Sequence, residues 1–409
     1  MRILIMAQHY APEEISGAVL ATELAEDLVQ RGHQVTFVTC APNYPQGIVF
    51  EGYKNAWYQE EKRNGVRVIR VWSYIGTSRS FLARGLNFGT FSVMAILGGL
   101  RTGKVDVLMS YSPPLTLGIA AWIIRLVRKI PWVLRIEDLY PDAAIAAGIL
   151  RNRLAIRFFK WLERFLYRRA DHISVISRGF QKHLASEGVP PQKISVIPVW
   201  ADPDFVHPGE KENAFRQKFQ LDGKFIALYA GTLGYTSALE DVLQAAEHLQ
   251  QEKDIQFVIV GEGVRKQALV HYSQEHELQN VLFLPFQPRK QFSDMMAAAD
   301  VGFVTLNNAS ASFSLPSKTF NIMASARPIL AVTPPDSEIA HLVKTWECGI
   351  NVPVGQPVQL ARTILKIRSS LGWLETAGQN GRKALEQYYS RQRCVPLYEA
   401  TLQQAIQAA

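Results

Sequence analysis

The amino-acid sequence predicts an α/β protein of two Rossmann-like domains, each built on a parallel sheet and facing the other across a cleft. Short apolar runs of strand length alternate with segments of helical periodicity, and a stretch with Pro198, Pro203 and Pro208 interrupts this alternation once. Alternating strands and helices form parallel, doubly wound sheets. A chain of 409 residues also exceeds what one hydrophobic core usually holds, so two domains are expected.

The first domain is predicted to span residues 1–200. Its predicted elements are strand Ile3–Ala7, helix Gly17–Arg31, strands Val35–Thr39 and Val66–Val71, helix Phe81–Leu100, strand Val105–Ser110, helix Leu115–Val127, strand Trp132–Ile136, two further helices, and strands Ile173–Ile176 and Ile194–Ile197. Short apolar runs of this kind are expected for strands that are buried on both faces.

A linker is predicted at residues 201–212 and the second domain at residues 213–385. Its predicted elements are strand Phe225–Tyr229, helix Leu239–Gln250, strand Gln256–Val260, helix Arg265–His276, strand Val281–Leu284, helix Gln291–Ala299, strand Val301–Leu306, helix Pro316–Ala326, strand Ile329–Val332, and helices at 357–371 and 375–405. Residues 386–409 are assigned to a C-terminal helix that packs back on the first domain. In such sheets, ligands bind at the carboxyl ends of the strands.

Composition restricts the compartment and the partners. Cys40, Cys348 and Cys394 are odd in number and far apart, which is typical of free thiols in a reducing cytoplasm, and their spacing predicts no metal site. The apolar run Met1–Ala7 is too short for a signal sequence, and Leu86–Leu100 is too short to span a membrane. A cytoplasmic protein, peripheral on the inner face of the membrane, is therefore expected. The net charge of +8 predicts an anionic partner, but no nucleic-acid recognition motif is present.

Residues 301–338 have the clearest pattern of a ligand site. A predicted strand, a loop rich in Ser and Asn, and a helix beginning at Pro316 follow one another. Such a helix start directs free backbone N–H groups and the positive end of the helix dipole at the loop, which suits a phosphate. Lys318 adds a positive charge, and the spacing of Ser317, Lys318 and Asn321 allows one helix face to hold a pyrophosphate and a ribose. An ordinary surface helix with a polar edge is the alternative.

Three further loops with small residues follow predicted strands. Ser16 and Gly17 end the loop after the first strand, where Ser16 can cap the helix and Gly17 lets a phosphate approach the backbone. The segments Gly231-Thr232-Leu233-Gly234 and Gly261-Glu262-Gly263 follow the first two strands of the second domain. Neither is the dinucleotide fingerprint, and glycine pairs more often form tight turns than ligand loops. Their position at the same sheet edge as Lys318 favours ligand binding.

Carboxylates follow the strand Trp132–Ile136 of the first domain. Glu137 and Asp138 come directly after it, where a carboxylate can take the proton of a reacting hydroxyl. The alternatives are solvation of Glu137 at the surface and helix capping by Asp142. His9 is a weaker candidate, because it would have to point into the cleft.

Residues 151–169 predict a basic amphipathic helix. Seven Lys and Arg residues stand against the single acid Glu163. The basic face comprises Arg153, Arg157, Lys160, Arg164 and Arg168, and the adjoining apolar face comprises Leu154, Phe158, Trp161, Leu162 and Phe165. Such a helix suits an anionic membrane surface, where each basic residue contributes about 1 kcal/mol. A domain helix with a solvated basic face is the alternative.

Six motifs occur in a fixed order along the chain. They are Pro12-Glu13 with Gly17, Arg31-Gly32-His33-Gln34-Val35, Ala41-Pro42-Asn43-Tyr44-Pro45-Gln46-Gly47, Gly231-Thr232-Leu233-Gly234, Val260-Gly261-Glu262-Gly263 and Pro316-Ser317-Lys318-Thr319-Phe320. Together they resemble the motifs of family 4 glycosyltransferases, especially the bacterial exopolysaccharide and O-antigen enzymes that include the fucosamine and colanic-acid transferases. The resemblance implies a GT-B fold and metal-independent transfer of a sugar from a nucleotide diphosphate donor, with retention at the anomeric carbon.

The resemblance also implies roles for single residues. Lys318 would neutralise the diphosphate leaving group, whose charge grows in the transition state. Glu137 and Asp138, from their position after a buried strand, are the other candidate catalytic residues. The expected donor-binding residues are Gly17, Gly231, Thr232, Leu233, Glu262, Gly263, Phe286, Pro316, Ser317, Lys318, Asn321 and Glu338. For Glu338 the alternative is a first-turn acid that the helix dipole favours. A UDP-sugar is the expected donor substrate, without a cofactor or a metal.

The chain departs from the family pattern at two places. Asn321 stands where the family usually has the second glutamate of its E-x7-E motif, and the first glutamate maps to Phe313. Thr236 and Ser237 replace the basic pair that commonly follows the first glycine loop. These departures indicate either a subfamily that relies on Lys318 or a transferase with reduced activity.

The expected function is a retaining glycosyltransferase that moves an N-acetylated or deoxy hexose from a UDP-sugar to a lipid-linked or glycan acceptor in cell-surface polysaccharide or glycolipid synthesis. A UDP-sugar epimerase of GT-B fold and a non-catalytic nucleotide-sugar-binding subunit are the alternatives. The donor sugar, the choice of UDP over GDP and the acceptor stay open. Asp202-Pro203-Asp204 matches the DxD metal motif of another glycosyltransferase architecture, but its position in a Pro-rich linker indicates a coincidence.

Overall fold

The computed structural model describes residues 1–78, 80–146, 148–311 and 314–408, and the chain divides into two compact units. The first unit comprises Met1–Pro198 and the C-terminal segment from Cys394 onward, and the second unit comprises Val199–Arg393. The second unit thus contains residues 201–212, for which the sequence predicts a linker, and the C-terminal segment returns to the first unit.

The first unit contains an eight-stranded sheet. Its strands are β1 (Arg2–Met6), β2 (Gln34–Cys40), β3 (Tyr58–Arg63), β4 (Val66–Val71), β5 (Val107–Ser112), β6 (Trp132–Ile136), β7 (His172–Val175) and β8 (Ile194–Val196). Their spatial order is β3-β4-β2-β1-β5-β6-β7-β8, and all neighbours are parallel except β3, which pairs antiparallel with β4. β3 has no counterpart among the predicted strands, because its polar residues do not form an apolar run on this partly exposed strand.

Six helices connect the strands of the first unit. They are α1 (Ser16–Gln30), α2 (Phe81–Leu100), α3 (Leu115–Arg128), α4 (Asp142–Ala146), α5 (Arg153–Arg169) and α6 (Arg178–Ser186). α2 and α3 pack closely because Gly99 has no side chain, and a Cβ there would lie 2.5 Å from a methyl carbon of Ile124. The predicted capping role of Ser16 is wrong: α1 is preceded by Ile15 without a side-chain cap, and Ser16 is the first helical residue.

The second unit contains a six-stranded parallel sheet. Its strands are β9 (Phe225–Ala230), β10 (Ile255–Val260), β11 (Val281–Leu284), β12 (Val301–Thr305), β13 (Ile329–Val332) and β14 (Gly349–Val352), in the spatial order β11-β10-β9-β12-β13-β14. Every residue of β10, β12 and β13 is buried. This explains why their continuous apolar runs are recognisable in the sequence.

The helices of the second unit are α7 (Ala214–Phe219), α8 (Leu239–His248), α9 (Lys266–Glu275), α10 (Phe292–Ala298), α11 (Lys318–Ala324), α12 (Glu338–Trp346), α13 (Pro357–Arg368) and α14 (Leu371–Ala384). A π-helical turn, Leu385–Tyr389, and helix α15 (Arg391–Gln407) follow. The prediction of one helix at 375–405 is wrong. Ser390 is extended and forms a bridge with Ala201, so a tertiary contact interrupts the helix.

Both sheets have a topological switch point beside their first strand. β1 lies between β2 and β5, and β9 lies between β10 and β12, so the connections leave in opposite directions on the two sides. Loops diverge at the carboxyl ends of such strands and leave a crevice in which α/β proteins bind ligands. Among the described residues, no helix has both the length and the apolar character to cross a bilayer.

Candidate functional site

Two glycine loops meet at the switch point of the second unit. The loop Gly231–Gly234 follows β9, and the loop Gly261–Gly263 follows the neighbouring β10. The backbone N–H of Leu233 donates to the Glu262 carbonyl oxygen at 2.9 Å, and the Leu233 carbonyl oxygen accepts from the N–H of Arg265 at 3.0 Å. The two loops are therefore bonded backbone to backbone.

Glycine is required where these loops touch. A Cβ at Gly261 would lie 1.9 Å from the Gly231 carbonyl oxygen, and a Cβ at Gly263 would lie 2.3 Å from the Leu233 carbonyl oxygen. Real Cβ atoms do not approach an oxygen so closely, so any side chain would separate the loops. The glycines that the sequence indicates as ligand loops thus set the distance between two backbone segments.

Lys318 begins α11 and reaches the first glycine loop. Its Nζ lies 3.6 Å from the ring centroid of Tyr229, and it lies 2.9 Å from the position that a Cβ at Gly231 would occupy. Tyr229 is buried, and its hydroxyl donates to the Thr232 carbonyl oxygen at 2.8 Å. The ammonium is thus held on an aromatic face, in contact with the loop that follows β9.

The charge of Lys318 is not balanced within the described residues. Burial alone accounts for its altered acidity and lowers the pKa of the ammonium to about 7, with no carboxylate to oppose the effect. Neighbouring cations differ: Arg265 pairs with Glu240, and the Lys266 Nζ lies 2.6 Å from Glu262. Lys318 is therefore available to an anionic ligand, which would raise its pKa.

The start of α11 differs from the predicted helix Pro316–Ala326. The helix begins at Lys318, Pro316 precedes it, and the Ser317 hydroxyl makes no capping hydrogen bond, although Ser317 has helical backbone angles. Lys318 and Asn321 line one small cavity together with Leu228, Ala230, Phe292, Met296, Phe303 and Ile322. The structure thus brings the cation and the amide together.

The remaining predicted donor residues differ in exposure. Thr232 is exposed, whereas Leu233 is fully buried and its N–H is already bonded, so Leu233 shapes the loop from inside. Phe286, after β11, is 50% exposed. Glu338 opens α12, whose cap is the Ser337 hydroxyl, which accepts from the Ala340 N–H at 3.1 Å.

The loop after β12 is tied to the loop after β9. The N–H of Asn307 donates to the Thr236 carbonyl oxygen at 2.9 Å, and the Asn307 side chain donates to the Tyr235 carbonyl oxygen at 2.6 Å. The Ser237 hydroxyl donates to the Gly234 carbonyl oxygen at 2.9 Å. At the two positions where the family commonly has basic residues, the backbone carbonyl of Thr236 therefore binds the loop after β12, and the hydroxyl of Ser237 bonds within its own loop. Phe313 lies outside the described residues.

In the first unit, Glu137 lies at the carboxyl end of β6 beside the start of α1. A Cβ at Gly17 would lie 3.4 Å from Glu137 Oε2, so the carboxylate rests against the glycine backbone. The side chain is 24% exposed. Burial raises the pKa of Glu137 to about 7, while the charges of Arg135 and His9 oppose the rise. Burial likewise raises the pKa of Asp138 to about 6.

These two carboxyl groups can exchange a proton near neutral pH. A general base works best when its pKa lies near the working pH. Glu137 and Asp138 are adjacent, and the charge of Asp138 contributes to the raised pKa of Glu137. The arrangement can therefore take a proton from a hydroxyl bound at this edge.

His9 and Glu13 form a second group in the loop after β1. His9 Nδ1 lies 2.8 Å from Glu13 Oε2, and Glu13 Oε1 accepts from the N–H groups of Asn43 at 2.9 Å and Tyr44 at 2.8 Å. Glu13 is only 3% exposed, and its bonds with His9, Asn43 and Tyr44 lower its pKa against the effect of burial. The ionised carboxylate joins the loops after β1 and β2.

Sequence reasoning assigned no role to Glu13, Tyr229 or Arg135. Arg135 is buried, its Nη1 donates to the Ile197 carbonyl oxygen at 3.1 Å, and its Cζ lies 4.9 Å from the ring centroid of Tyr398 in α15. A charged residue inside an apolar strand is a signal that could have indicated Arg135. Tyr229 has no comparable signal, because an aromatic residue in a buried strand is ordinary.

Helix α5 presents part of the predicted amphipathic pattern to the surface. Leu154 is 78% exposed, Phe158 53% and Trp161 58%. Two of the predicted basic residues have partners: Lys160 Nζ lies 2.6 Å from Asp142 Oδ2, and Arg164 Nε lies 2.6 Å from Glu187 Oε2. The exposed basic residues on the helix are Arg153, Arg157, Arg164, Arg168 and Arg169.

Two groups of side chains resemble metal sites, but their carboxylates form ion pairs and hydrogen bonds within the protein. Asp142, Glu163 and His183 place one ligand atom each within 4.8 Å of one another, and the Lys160 ammonium supplies the positive charge there. Asp202 accepts from Arg391 Nη1 at 3.1 Å, and Asp204 accepts from the Gln392 side chain at 3.2 Å. The second group corresponds to the DxD-like segment, whose carboxylates hold the start of α15.

Two families match consecutive parts of the chain. Residues 17–200 match the glycosyl transferase 4-like domain, and residues 210–384 match the glycosyl transferases group 1. A protein of Escherichia coli named as a colanic acid biosynthesis glycosyl transferase, WcaI, is 30% identical over 383 residues, which cover 91% of this chain and 92% of WcaI.

Solved structures show the same fold. A sucrose-phosphate synthase from Thermosynechococcus elongatus has a TM-score of 0.80 at 18% identity, and the alignment covers 100% of both chains. HepE of Anabaena, solved in complex with UDP, has a TM-score of 0.73 at 15% identity, with 99% of this chain and 100% of HepE covered. At these identities the likeness concerns the fold alone.

Proposed function

Because the chain belongs to the family 4-like glycosyltransferases, we propose that it transfers a sugar from a UDP-sugar to a lipid-linked or glycan acceptor, with retention at the anomeric carbon. The expected GT-B fold class, with two Rossmann-like parallel-sheet domains, is confirmed. The enzyme class is confirmed as well, whereas the donor, the acceptor and the stereochemistry are parts of the proposal.

The observation that carries the donor proposal is the unbalanced cation of Lys318 at a glycine loop. In glycosyl transfer, the bond from the anomeric carbon to the β-phosphate oxygen breaks and the diphosphate takes the electron pair. An ammonium at that place stabilises the developing negative charge, and this electrostatic effect is usually the largest in catalysis. The second unit is the proposed donor unit, with Thr232, Ser317 and Asn321 as further contacts.

UDP is the proposed nucleotide, and this choice takes its support from HepE, whose structure contains UDP. The exposed ring of Phe286 and the Glu262–Gly263 segment are suited to lie beside the base. Asn321 can bond ribose hydroxyls with its amide, and the Glu338 carboxylate is a further candidate contact. Ribose recognition by an amide would compensate for the missing second glutamate.

The first unit is the proposed acceptor unit. The acceptor oxygen forms the new bond to the anomeric carbon, and its proton has to go to a base. Glu137, with a pKa raised to about 7, is the proposed base, and Asp138 is its alternative. Gly17 keeps the start of α1 open beside the Glu137 carboxylate.

The biological setting is proposed from the likeness to WcaI. A colanic acid enzyme supports a role in cell-surface polysaccharide synthesis. The proposal also includes an N-acetylated or deoxy hexose as the transferred sugar, and the exopolysaccharide branch with the fucosamine transferases as the subfamily. Lipid-linked acceptors of such pathways lie at the cytoplasmic membrane. Peripheral binding to its inner face is therefore part of the proposal.

Helix α5 is the proposed membrane contact. Exposed Leu154, Phe158 and Trp161 form an apolar ridge, and Trp161 stacks on Phe165 at a centroid distance of 5.6 Å. Arg153 and Arg157 flank the ridge. Apolar side chains between basic ones suit insertion among anionic headgroups.

The test is the release of UDP or GDP from a panel of nucleotide sugars, with and without polyprenyl-linked sugar acceptors. We expect acceptor-dependent release of UDP, and Lys318→Ala should reduce it about a hundredfold or more through loss of the stabilised leaving group. Lys344→Ala is the control, because Lys344 is an exposed lysine near the end of α12.

Other outcomes separate the alternatives. Product formation from UDP-sugar without an acceptor would indicate an epimerase. Binding of UDP without release from any donor would indicate a non-catalytic subunit. Normal turnover of Lys318→Ala would remove the basis for the donor assignment.

A further inference from the structure

An exposed tryptophan and a partly buried one, Trp57 and Trp72, lie at the carboxyl edge of the first sheet. Trp57 directly precedes β3, Trp72 directly follows β4, and the pairing of Tyr58 with Val71 places both at the same end of this antiparallel pair. The indoles stack with centroids 5.5 Å apart and an interplanar angle of 25°. Trp57 is nonetheless 69% exposed, so the stack presents an open aromatic face.

A further exposed aromatic residue, Tyr44, lies beside His9 in the loop after β2. Tyr44 is 38% exposed, and its ring lies 5.6 Å from the His9 ring. Gly47, in the same loop, packs on the loop after β4, because a Cβ there would lie 2.3 Å from the Gly76 carbonyl oxygen. The loops after β2 and β4 are therefore in direct contact.

A second series of contacts, through α2, joins the loop after β4 to the loop that holds His9. Tyr74 is 37% exposed, and its carbonyl oxygen accepts from the Asn87 side chain at 2.6 Å. Asn87 Oδ1 in turn accepts from the Gln8 side chain, next to His9. The loop with Trp72 and Tyr74 is thus fixed relative to the loop that holds His9 and Glu13.

The order of the strands gives the distance between this aromatic surface and Glu137. Trp72 follows β4 and Glu137 follows β6, and the order β4-β2-β1-β5-β6 places four strand spacings between them. At the usual separation of neighbouring strands this is roughly 19 Å. A monosaccharide or disaccharide is too short to extend from one place to the other.

We propose that Trp57 and Trp72, together with Tyr44 and Tyr74, form a binding subsite for a sugar ring of an oligosaccharide acceptor. This ring is at least two sugar residues away from the sugar that carries the reacting hydroxyl. The proposal rests on the proposed function and adds the size of the acceptor. The C–H face of a pyranose is apolar and flat enough to lie on an indole, while its hydroxyl edge stays in water.

The charges of the surrounding loop favour a glycan over a lipid surface. Between Ala41 and Trp57 the only charged residues are Glu51 and Lys54, so this loop has no net charge. An anionic membrane attracts an excess of basic residues, which α5 has and this loop lacks. The exposed apolar residues of α5 and this aromatic surface therefore have different partners.

The test uses a printed array of linear oligosaccharides of one to six sugar units, including bacterial surface-polysaccharide fragments and glucose oligomers, probed with labelled full-length protein at saturating UDP. We expect retention to rise with chain length from the trisaccharide upward. Trp57→Ala should weaken retention of the longer chains at least tenfold, and Trp57→Phe, which keeps an aromatic face, should retain most of it. Unfolding midpoints of both variants verify that they are folded.

Several results would overturn the proposal. They are binding that does not depend on length, binding that Trp57→Ala leaves unchanged, no binding to any oligosaccharide, and loss of binding to anionic vesicles in Trp57→Ala. A failure of this subsite can be distinguished from a failure of the proposed function. Length-dependent binding through Trp57 without UDP release from any donor would support this subsite and contradict the transferase proposal.

Discussion

Lys318 is a residue whose charge changes near neutral pH. Burial lowers the pKa of its ammonium to about 7, so the ligand-free protein loses this charge as the pH rises above that value. A diphosphate favours the charged form, and binding above pH 7 therefore has to take up a proton. Affinity for UDP should be full below pH 7 and should fall above it by up to about tenfold per pH unit, the limit for one linked proton.

Calorimetric titration with UDP at a series of pH values measures this dependence. Lys318→Arg is the matched variant, because a guanidinium stays charged throughout the range and should give an affinity that changes little with pH. A wild-type affinity that is equally independent of pH would show that the Lys318 ammonium does not bind the diphosphate.

At the scale of elements, the two glycine loops of the second unit depend on backbone contact. Gly261→Ala places a Cβ 1.9 Å from the Gly231 carbonyl oxygen, so the loop after β9 has to move. We expect UDP affinity to fall at least tenfold and the free energy of unfolding to fall by about 1–3 kcal/mol, as for other overpacked sites. Calorimetry and urea unfolding measure the two effects.

The control for this substitution is Gly372→Ala in α14. A Cβ at Gly372 meets no atom within 4 Å, and alanine stabilises a helix by up to about 1 kcal/mol relative to glycine. UDP affinity should not change. An unaltered affinity of Gly261→Ala as well would mean that contact between the loops is not needed for binding.

Helix α5 allows a second prediction at this scale. Changing Arg153, Arg157 and Arg168 to Glu leaves the ion pairs of Lys160 and Arg164 intact. Each basic residue contributes about 1 kcal/mol near an anionic surface, so vesicle affinity should fall on the order of a hundredfold or more. Sedimentation with vesicles of anionic and neutral lipids measures the change.

The matched control changes Lys253, Lys344 and Lys366 to Glu, which alters the net charge equally at exposed positions of the second unit. We expect this variant to bind anionic vesicles more tightly than the α5 variant does. Equal binding by both variants would show that net charge, and not α5, determines the association.

At the scale of the whole molecule, the C-terminal helix completes the core of the first unit. Tyr398 in α15 is 1% exposed, and its ring lies 4.9 Å from Arg135 Cζ. Tyr398→Ala should reduce the stability of the first unit by about 3–5 kcal/mol, as for other buried aromatic residues. The affinity of the second unit for UDP should stay the same.

Hydrogen exchange measured by mass spectrometry distinguishes the units in this experiment. Exchange should accelerate in β1, β5 and β6 and stay unchanged in β9 and β12. Leu397→Ala, at a 44% exposed position of the same helix, is the control and should change the stability by less than about 0.5 kcal/mol. Uniform acceleration in both units would contradict the assignment of α15 to the first unit.

Much of this organisation could be read from local patterns. Continuous apolar runs predicted the central strands, and the strands Trp132–Ile136, Val281–Leu284 and Ile329–Val332 have the predicted limits. Strands that are buried on both faces leave a clear signal in the sequence. The strands β3 and β14 were missed because neither is a continuous apolar run: β3 is mostly charged, and Gly349 and Asn351 interrupt the apolar residues of β14.

The sequence by itself determined the alternation of strands and helices and the cation at the start of α11, because both depend on neighbouring residues. Only the tertiary structure decided the environment of that cation, since the Tyr229 ring lies 89 positions earlier in the chain. It also decided that Glu13 joins two loops, that Ser390 interrupts the last helical stretch, and that Lys160 and Arg164 are ion-paired. Contacts between residues distant in the chain leave no trace in local periodicity.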